Sequence, residues 1–366
     1  MLAEAAARDG YRVVALDLFG DLDTKRVAEP WHSIGAPGSL RIDEGRVLDV
    51  LQGLASEPGD AVIGWVAGSG FEGRPDILEA AARRLPLIGT PADAVRRVRD
   101  PVTFFGALAA HRIEHPAVRL DAPDDPEGWL VKDASGHGGW HIRHAAAAAA
   151  VARDSASIYF QREMRGVPMS ATFIADGRQA LLQGINELIV WPVGSRPHVY
   201  SGCVGPVDVP SALAERIAGI VRTLSAEFGL RGWCSLDFIR DGDSLGVLEV
   251  NPRPPASLAL YAQPGLMAAQ VRACMQGELP AAAAFAPRRV AGSLIVYARH
   301  SLTLSAVQAQ HLAARSDVHD LPAAGACFGP GDPVCSLSAE SDSAVQGKAL
   351  LQAAHDALMT TLETPP

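Results

Sequence analysis

Cysteine is scarce in this chain, and its few cysteines follow no pattern. Five cysteines occur among 366 residues, and no two of them stand in a C-x-x-C pair. An odd number of dispersed cysteines argues against a disulfide framework and against a cysteine-ligated zinc site. It is typical of the reducing cytosol, where thiols stay free. We therefore predict a cytoplasmic protein with buried or unused thiols.

Long apolar runs and an excess of positive charge are also missing. No uninterrupted apolar stretch reaches the length of a membrane span, and the N-terminus lacks the apolar segment of a signal peptide. Lysine and arginine total 32 against 41 acidic residues, which gives a formal net charge of −9. A general nucleic-acid binder needs a basic surface. We expect neither a membrane nor a nucleic-acid partner, and the sequence leaves a homodimer open.

Hydrophobic residues make up 48% of the chain, enough for two or three domains of an α/β protein. In residues 1–89, helices alternate with short apolar runs, which predicts a Rossmann-like parallel α/β domain. Such a domain normally opens with a strand, whereas this chain opens with a predicted helix at 2–8, so we expect the first strand to be missing. Gly-Thr-Pro at 89–91 marks the predicted start of an α+β domain spanning 90–286. Residues 287–366 are predicted to form a small α/β cap.

Apolar periodicity and turn residues locate the individual elements. The predicted strands cover residues 11–17, 61–66, 85–88, 117–120, 129–132, 157–161, 170–174 and 291–297. The predicted helices cover residues 2–8, 47–55, 75–84, 91–110, 145–150, 210–229, 265–276 and 343–362.

The segment 233–253 carries the strongest chemical pattern. Two β-prone runs flank an acidic glycine turn at 241–243, which predicts a β-hairpin. Side chains alternate along a strand, so Glu249 and Asn251 share a face. If the turn is centred near residue 243, Asp237 lies opposite Glu249 on the same face. The hairpin is therefore predicted to group two carboxylates and an amide oxygen.

Oxygen ligands of this kind suit Mg²⁺ that carries the phosphates of a nucleotide. Arg253, which follows Pro252, is then placed to meet an anion beside the metal. The alternative from these residues alone is the solvated face of a sheet. A calcium loop is excluded, because Leu245 occupies a ligand position and Pro252 stands where the terminal glutamate should be.

A glycine loop after the predicted strand 129–132 is the second chemical signal. Lys132 is followed by Gly136, Gly138 and Gly139. Such loops fold over phosphates because glycine lets backbone N–H groups approach closely. The order differs from a Walker loop, in which the lysine follows the glycines. The alternative is a hairpin tip without ligand. The histidines in and after the loop lack a third ligand nearby, which argues against zinc.

A second glycine loop, Gly68–Gly73, matches G-x-G-x-x-G after a predicted strand. That pattern is typical of dinucleotide sites, so an NAD(P)-dependent oxidoreductase is an alternative function. The next helix, however, begins only at Pro75, so Gly73 cannot serve in helix–strand packing. A loop that faces the substrate is the preferred interpretation.

Taken in order, these segments resemble the ATP-grasp superfamily. More narrowly, G-S-G-F-E-G-R-P, W-L-V-K-D-A-S-G-H-G-G-W-H-I and Y-F-Q-R-E-M resemble predicted carboligases related to biotin carboxylase. The resemblance covers about residues 90–290 as the ATP-grasp core, with an α/β domain before it. It implies a central ATP-grasp fold and ATP and Mg²⁺ as cofactors.

The resemblance also implies roles for individual residues. Family members often carry an early second phosphate-contacting lysine; here Arg99 stands at the expected position, and arginine does not reproduce lysine geometry. The implied roles are phosphate binding by Lys132, closure over the triphosphate by Gly136, Gly138 and Gly139, adenine recognition by Gln161, a backbone hinge at Arg162, Glu163 and Met164, Mg²⁺ binding by Asp237, Glu249 and Asn251, and contact with the transferred phosphoryl group by Arg253.

The implied reaction is the ATP-dependent joining of a small-molecule carboxylate to an amine through an acyl-phosphate, in analogy with ligations of cofactor biosynthesis. A biotin-carboxylase-like carboxylase is the alternative on the same fold. It is disfavoured because residues 254–257 read Pro-Pro-Ala-Ser, without the acidic and basic pair of carboxylases, and because no biotinyl-lysine motif is present. A nucleotide-binding regulator without turnover is a third possibility.

Overall fold

An eight-stranded antiparallel sheet forms the centre of the described chain. The computed structural model describes residues 1–36, 40–56, 62–147, 157–282, 284–285, 287 and 289–363. The large sheet has the order β11-β10-β7-β8-β9-β12-β16-β14. The strands are β1 Ala15–Asp17, β2 Trp31–Ser33, β3 Val118–Arg119, β4 Trp129–Asp133, β5 Arg143–His144, β6 Ile158–Arg162, β7 Val167–Asp176, β8 Ala180–Val193, β9 Arg196–Gly205, β10 Arg231–Asp241, β11 Ser244–Asn251, β12 Val290–Tyr297, β13 Leu302–Thr303, β14 Val318–His319, β15 Cys327–Phe328 and β16 Pro333–Ser341.

Most of the predicted helices are present, with ends shifted by up to three residues. None of the helices in the described ranges is both long enough and apolar enough to cross a membrane. The α-helices are α1 Leu2–Arg8, α2 Leu22–Val27, α3 Glu44–Ser56, α4 Pro75–Ala82, α5 Ala92–Arg99, α6 Pro101–Ala110, α7 Ser211–Phe228, α8 Leu266–Met275, α9 Ala306–Ala313 and α10 Ala344–Glu363.

The single helix predicted over 91–110 is wrong, because the segment forms two helices. Asp100 separates α5 from α6 with an extended backbone (φ −74°, ψ 117°), and its side chain accepts a hydrogen bond from the Thr103 N–H at 2.8 Å. A residue before proline avoids the helical region, and Pro101 favours the first position of a new helix. The break places Arg99 at the end of α5, where its side chain contacts Glu249 and the Ala134 carbonyl.

The N-terminal region has less sheet than its sequence predicted. β1 and β2 form a two-stranded parallel sheet. The described part of the predicted strand 61–66 meets the predicted strand 85–88 only through a parallel bridge between Trp65 and Leu87. Pro86 has no N–H to donate to a ladder, which limits the pairing there. The parallel direction agrees with the predicted α/β class, whereas the predicted strand lengths are wrong.

A small four-stranded antiparallel sheet, with the order β3-β6-β4-β5, carries the glycine loop and the predicted adenine-binding residue. Strand β4 runs between β6 and β5, so its central residues are shielded on both edges. The alanine tract after β5 begins with a 3-10 turn at Ala145–Ala147 where a helix was predicted. The rest of that predicted helix, 148–150, lies outside the described residues.

The C-terminal strands continue the large sheet. β12 pairs with β9, with Ala291 opposite Gly205, and β16 pairs with β12. Helix α10 packs on this end of the sheet, where Leu351 and Leu358 share one core with Leu294. Strands β8 and β9, which were not predicted from the sequence, provide the connection. The residues predicted as a cap therefore form one sheet with the hairpin that carries the predicted metal ligands.

Candidate active site between the two sheets

A cleft of about 1260 Å³ lies between the small sheet, strand β9 and the hairpin β10–β11. Small-molecule sites usually have volumes of about 300–1,000 Å³, so this cleft has room for a large ligand or for two ligands. Arg99 does not line the cleft but contacts Glu249, which does. The other predicted site residues all line it: Lys132, Gly136, Gly138, Gly139, Gln161, Arg162, Glu163, Met164, Asp237, Glu249, Asn251 and Arg253.

The register of the hairpin is the one predicted from alternation. Asp237 pairs with Glu249 and Ser235 pairs with Asn251, so the three predicted ligands lie on one face. A β-bulge follows Asp237 and shifts the register towards the turn. Bulges re-aim side chains and are common beside active sites. The predicted placement of two carboxylates and an amide on one face of the hairpin is therefore confirmed.

Asp237 is held by two uncharged donors. Ser170 Oγ donates to Oδ1 at 2.7 Å, and Asn251 Nδ2 donates to Oδ2 at 3.0 Å. Burial and the neighbouring Glu249 raise the pKa of Asp237 to about 6, although these hydrogen bonds act in the opposite direction. The carboxylate is therefore poised to ionise near neutral pH, and a bound cation would favour its charged form.

A buried polar network near Asp237 links β7 and β8 to the 3-10 turn Ala256–Tyr261. Tyr261 Oη donates to Asn186 Oδ1 at 2.6 Å, and Asn186 Nδ2 donates to Thr172 Oγ1 at 3.0 Å. Thr172 Oγ1 in turn lies 2.7 Å from Ser257 Oγ. Buried networks whose members are satisfied hold their side chains in one arrangement. No motif marks these residues in the sequence, and only the packing of the 3-10 turn on the sheet brings them together.

Arg99 joins the metal-ligand face to the glycine loop. Its guanidinium lies 3.1 Å from Glu249 Oε2 and donates to the carbonyl oxygens of Ala134 at 2.8 Å and Gly136 at 2.6 Å. Burial alone would raise the pKa of Glu249, but Arg99, Lys132 and His141 outweigh burial and lower it. Glu249 is therefore a carboxylate at neutral pH, and Arg99 positions both Glu249 and the loop.

Lys132 and Gln161 are buried polar side chains that face the cleft. Lys132 is 4% exposed and forms no hydrogen bond with the described residues. Burial lowers the pKa of Lys132, with Arg99 acting in the same direction and Glu249 opposing both. Gln161 is 1% exposed, and its Nε2 has no hydrogen-bond partner among the described residues. Unpaired buried donors are rare in proteins, so Gln161 suggests a ligand position.

The glycine loop packs closely against its neighbours. A Cβ at Gly136 would overlap the ring of His141, and one at Gly139, where φ is +77°, would overlap the His198 carbonyl on β9. The Tyr200 N–H donates to the Gly138 carbonyl at 3.0 Å, which docks the loop on β9. Glycine is required at Gly139 because two backbones approach so closely, and at Gly136 because the His141 side chain fills the space of a Cβ.

In the predicted hinge at 162–164, part of the backbone is already hydrogen-bonded within the protein and is therefore not free to bind adenine. The Arg162 N–H donates to Ala117 O at 2.8 Å and the Glu163 N–H donates to Gly128 O at 2.9 Å, so both donors are used within the protein. The Arg162 guanidinium donates to Glu127 O at 2.8 Å, at the rim. The Met164 side chain packs against Gly246 of the hairpin.

Arg253 is held by a residue that was not predicted to belong to the site. Its Nε donates to Glu72 Oε1 at 2.7 Å, and the Glu72 side chain is 1% exposed. Burial would raise the pKa of Glu72, but Arg253, His137 and Arg99 outweigh it and lower the pKa. The second oxygen of Glu72 accepts from the Gly70 N–H at 2.6 Å. Glu72 is thus an ionised carboxylate that aims Arg253 from the loop 68–73.

The same contacts argue against a dinucleotide site at Gly68–Gly73. A Cβ at Gly73 would overlap the backbone of Ser135, so the glycine loop after β4 fills the space that a pyrophosphate would need there. Ser69 lines the cleft. The loop 68–73 therefore packs against the glycine loop after β4, and its Ser69 lines the same cleft.

An ATP-grasp domain model matches residues 98–257, a range that contains all the predicted site residues. The carbamoyl phosphate synthase large chain of Thermus thermophilus is 27% identical over 201 residues, which cover 48% of this chain and 19% of that protein. The chain thus spans about a fifth of the length of the curated relatives it matches.

Solved structures share the fold over nearly the whole chain. The biotin carboxylase–β-γ-ATP complex of Campylobacter jejuni has a TM-score of 0.73 at 13% identity and covers 99% of this chain and 92% of its own. The L-amino acid ligase of Bacillus licheniformis has a TM-score of 0.69 at 15% identity and covers 98% of this chain and 94% of its own. Residues 98–257 match an ATP-grasp domain, and the chain has the fold of biotin carboxylase.

Proposed function

We propose that this protein is an ATP- and Mg²⁺-dependent carboxylate–amine ligase. The observation that carries the proposal is one cleft with a buried lysine and a glycine loop on one wall and Asp237, Glu249 and Asn251 on another. In this reaction the carboxylate attacks the γ-phosphate of ATP, and the amine displaces phosphate from the resulting acyl-phosphate. Such chemistry needs alignment and charge neutralisation more than a protein nucleophile.

The polar groups of the cleft fit a nucleotide. The buried Gln161 Nε2 lacks a partner among the described residues and can donate to an acceptor on the edge of a base. Lys132 lies on β4 just before the glycine loop, so an ammonium and backbone N–H groups lie together where a triphosphate would bind. Binding of an anion there would also compensate the burial of Lys132.

The donors of the hairpin fit Mg²⁺. Carboxylate and amide oxygens are its preferred protein ligands, and Asp237 and Glu249 are paired on adjacent strands. A rotation of half a turn about the Asn251 Cβ–Cγ bond would exchange the positions of its NH₂ group and its oxygen. The three side chains would then offer only oxygen atoms to the metal. Mg²⁺ bound there would neutralise charge on the phosphates during transfer.

Three basic side chains at the site have different roles in the proposed reaction. Lys132 would bind phosphate at the loop, Arg253 would steady the transferred phosphoryl group, and Arg99 would position Glu249 and the loop. We further infer that the substrates are a free carboxylate and a free amine, and that the product serves cofactor biosynthesis, as the sequence resemblance implies.

A biotin-carboxylase-like carboxylase is the second candidate, and the shared fold favours it. The segment 254–257 opposes it, because no acidic or basic side chain follows Arg253 there. Ser257 is instead engaged with Thr172 in the buried network.

The test is a screen for ADP release with pairs of carboxylates and amines in the presence of ATP and Mg²⁺. With an active pair, Glu249→Gln should lower turnover about a hundredfold or more, because a charged ligand is lost. Since Glu249→Gln also removes the partner of Arg99, Asn251→Ala provides a second variant that keeps that ion pair. Glu340→Gln, at an exposed residue of β16, is the control.

Full activity of both site variants would exclude the assigned metal ligands. ADP release that needs bicarbonate and no second carboxylate would favour the carboxylase. Binding of ATP without ADP release for any pair would favour the regulator.

A further inference from the structure

Two histidines and a glutamate meet where the small sheet approaches the large sheet. His144 ends β5, Glu163 follows β6 and His198 lies on β9. His144 Nδ1 lies 3.9 Å from Glu163 Oε2, and His198 Nε2 lies 3.4 Å from Glu163 Oε1. One ligand atom from each residue lies within 4.8 Å of the other two. We refer to these three residues as the His–Glu–His cluster.

We propose that the His–Glu–His cluster binds a divalent transition-metal ion such as Zn²⁺. Two imidazole nitrogens and one carboxylate oxygen suit Zn²⁺, whereas Mg²⁺ prefers oxygen alone. Bonds of about 2.0–2.1 Å in tetrahedral geometry place ligand atoms about 3.3 Å apart. The pair His198–Glu163 has this separation already, and the ligand atoms of all three residues lie within 4.8 Å of one another.

His198 directs a solvent-shielded nitrogen at the cluster. The side chain is 31% exposed, but its Nε2 atom is shielded from solvent, and the acceptor beside it, Glu163 Oε1 at 3.4 Å, lies outside hydrogen-bond geometry. A buried nitrogen without a partner is costly, and a metal bond would satisfy it. Arg143 and Arg196 lie close to each other on the strands that carry the two histidines. Their charge lowers the affinity for a cation, so we expect weaker binding than in a structural zinc site.

Metal binding at the cluster would join two separate sheets. Strands β5 and β6 belong to the small sheet and β9 to the large one, so the ion would tie the sheets together over the cleft. The cluster lies beside the contact of the glycine loop with β9 at Tyr200. A bound ion would therefore restrain the small sheet in its docked position. This inference does not depend on the proposed ligase reaction.

The test is a calorimetric titration of the full chain with Zn²⁺ in an excess of Mg²⁺, which occupies oxygen sites without competing for imidazole. We expect one Zn²⁺ site, and His144→Ala and His198→Ala should each weaken it about tenfold or more. His111→Ala is the matched control, since His111 forms an exposed pair with Glu227 at 3.2 Å without a second histidine. Co²⁺ in place of Zn²⁺ should give the visible absorption of a nitrogen-ligated ion.

Zn²⁺ affinity that is unchanged in the double variant His144→Ala/His198→Ala would overturn the proposal, as would an absence of binding to the unmodified chain. A loss of affinity in His111→Ala equal to that in the cluster variants would also overturn it. Thermal unfolding without metal, expected to be similar for all variants, distinguishes loss of the ligand from loss of the fold.

Discussion

Lys132 has a side-chain amine with almost no access to solvent. Burial lowers its pKa, and the nearby carboxylates only partly compensate. If it binds phosphate, Lys132→Ala should weaken ATP binding about tenfold to a hundredfold, because a charged hydrogen bond contributes about 1.5–3 kcal/mol. Calorimetric titration with ATP measures this. Lys348→Ala, which removes a lysine paired with Glu187 outside the cleft, should leave the affinity unchanged. Equal ATP affinity in both variants would exclude Lys132 as a phosphate ligand.

Asp237 affects stability in a manner that depends on pH. Its pKa in the fold is about 6 against an ordinary value of 3.8, so the folded protein retains a proton that the unfolded chain releases. Its contribution to stability is therefore full below about pH 4 and is lost as pH rises through about 6. Asp237→Asn cannot ionise. The melting temperature of this variant minus that of the unmodified protein should rise between pH 4 and about 6.5, then level off.

These melting temperatures are measured without Mg²⁺, since a cation would favour the carboxylate. The hydrogen bonds from Ser170 and Asn251 change in the variant at every pH and add only a constant offset. A difference that does not vary with pH would contradict the assigned ionisation of Asp237.

At the scale of elements, the glycine loop and β9 fit each other at Gly139. A side chain there would overlap the His198 carbonyl, and φ is +77°. Gly139→Ala should therefore move the loop off β9, raise the KM for ATP and lower turnover. Gly194→Ala controls for backbone strain, because Gly194 has φ +56° with no atom within 4 Å of its added Cβ. Similar KM values for the two variants would show that docking of the loop on β9 does not matter for ATP use.

Local patterns predicted those elements whose signals lie within one segment. The hairpin followed from alternation and an acidic glycine turn, and its register is confirmed. Helix α7 ends at Phe228 and is capped by Gly229, whose left-handed backbone (φ 72°) is typical of a residue that follows a helix. The single helix predicted over 91–110 was wrong because the Asp-Pro pair at 100–101 ends one helix and starts the next. Strands β8 and β9 were not predicted because their sequences lack a clear alternation.

At the scale of the whole molecule, the ion pair between Glu72 and Arg253 connects the N-terminal region to the end of the hairpin. Glu72→Gln keeps an oxygen for the Gly70 N–H but leaves Arg253 without a carboxylate. Breaking a buried pair costs about 3–5 kcal/mol, and we expect a loss towards the lower end because Arg253 is 13% exposed. Turnover should fall more than ATP affinity, since Arg253 is assigned to the transferred phosphoryl group.

Chemical denaturation measures the stability loss, and steady-state kinetics separate kcat from the KM for ATP. Glu44→Gln is the matched control, because Glu44 forms an exposed pair with Arg74 at 3.0 Å. Exposed pairs contribute about 0–1 kcal/mol, so this variant should resemble the unmodified protein. An equal effect of the two substitutions would mean that Glu72 has no special part in placing Arg253.

The sequence by itself determined the ATP-grasp match of residues 98–257, the hairpin and most of the residues that line the cleft. It could do so because turn chemistry, strand alternation and a lysine followed by glycines are local properties of the chain. Only the tertiary structure decided which groups hold the site residues in place. Glu72 meets Arg253 across 181 residues and Arg99 meets Glu249 across 150. Such partners are chosen by burial and by the packing of sheets, because a buried charge must find its counter-charge wherever the fold places it.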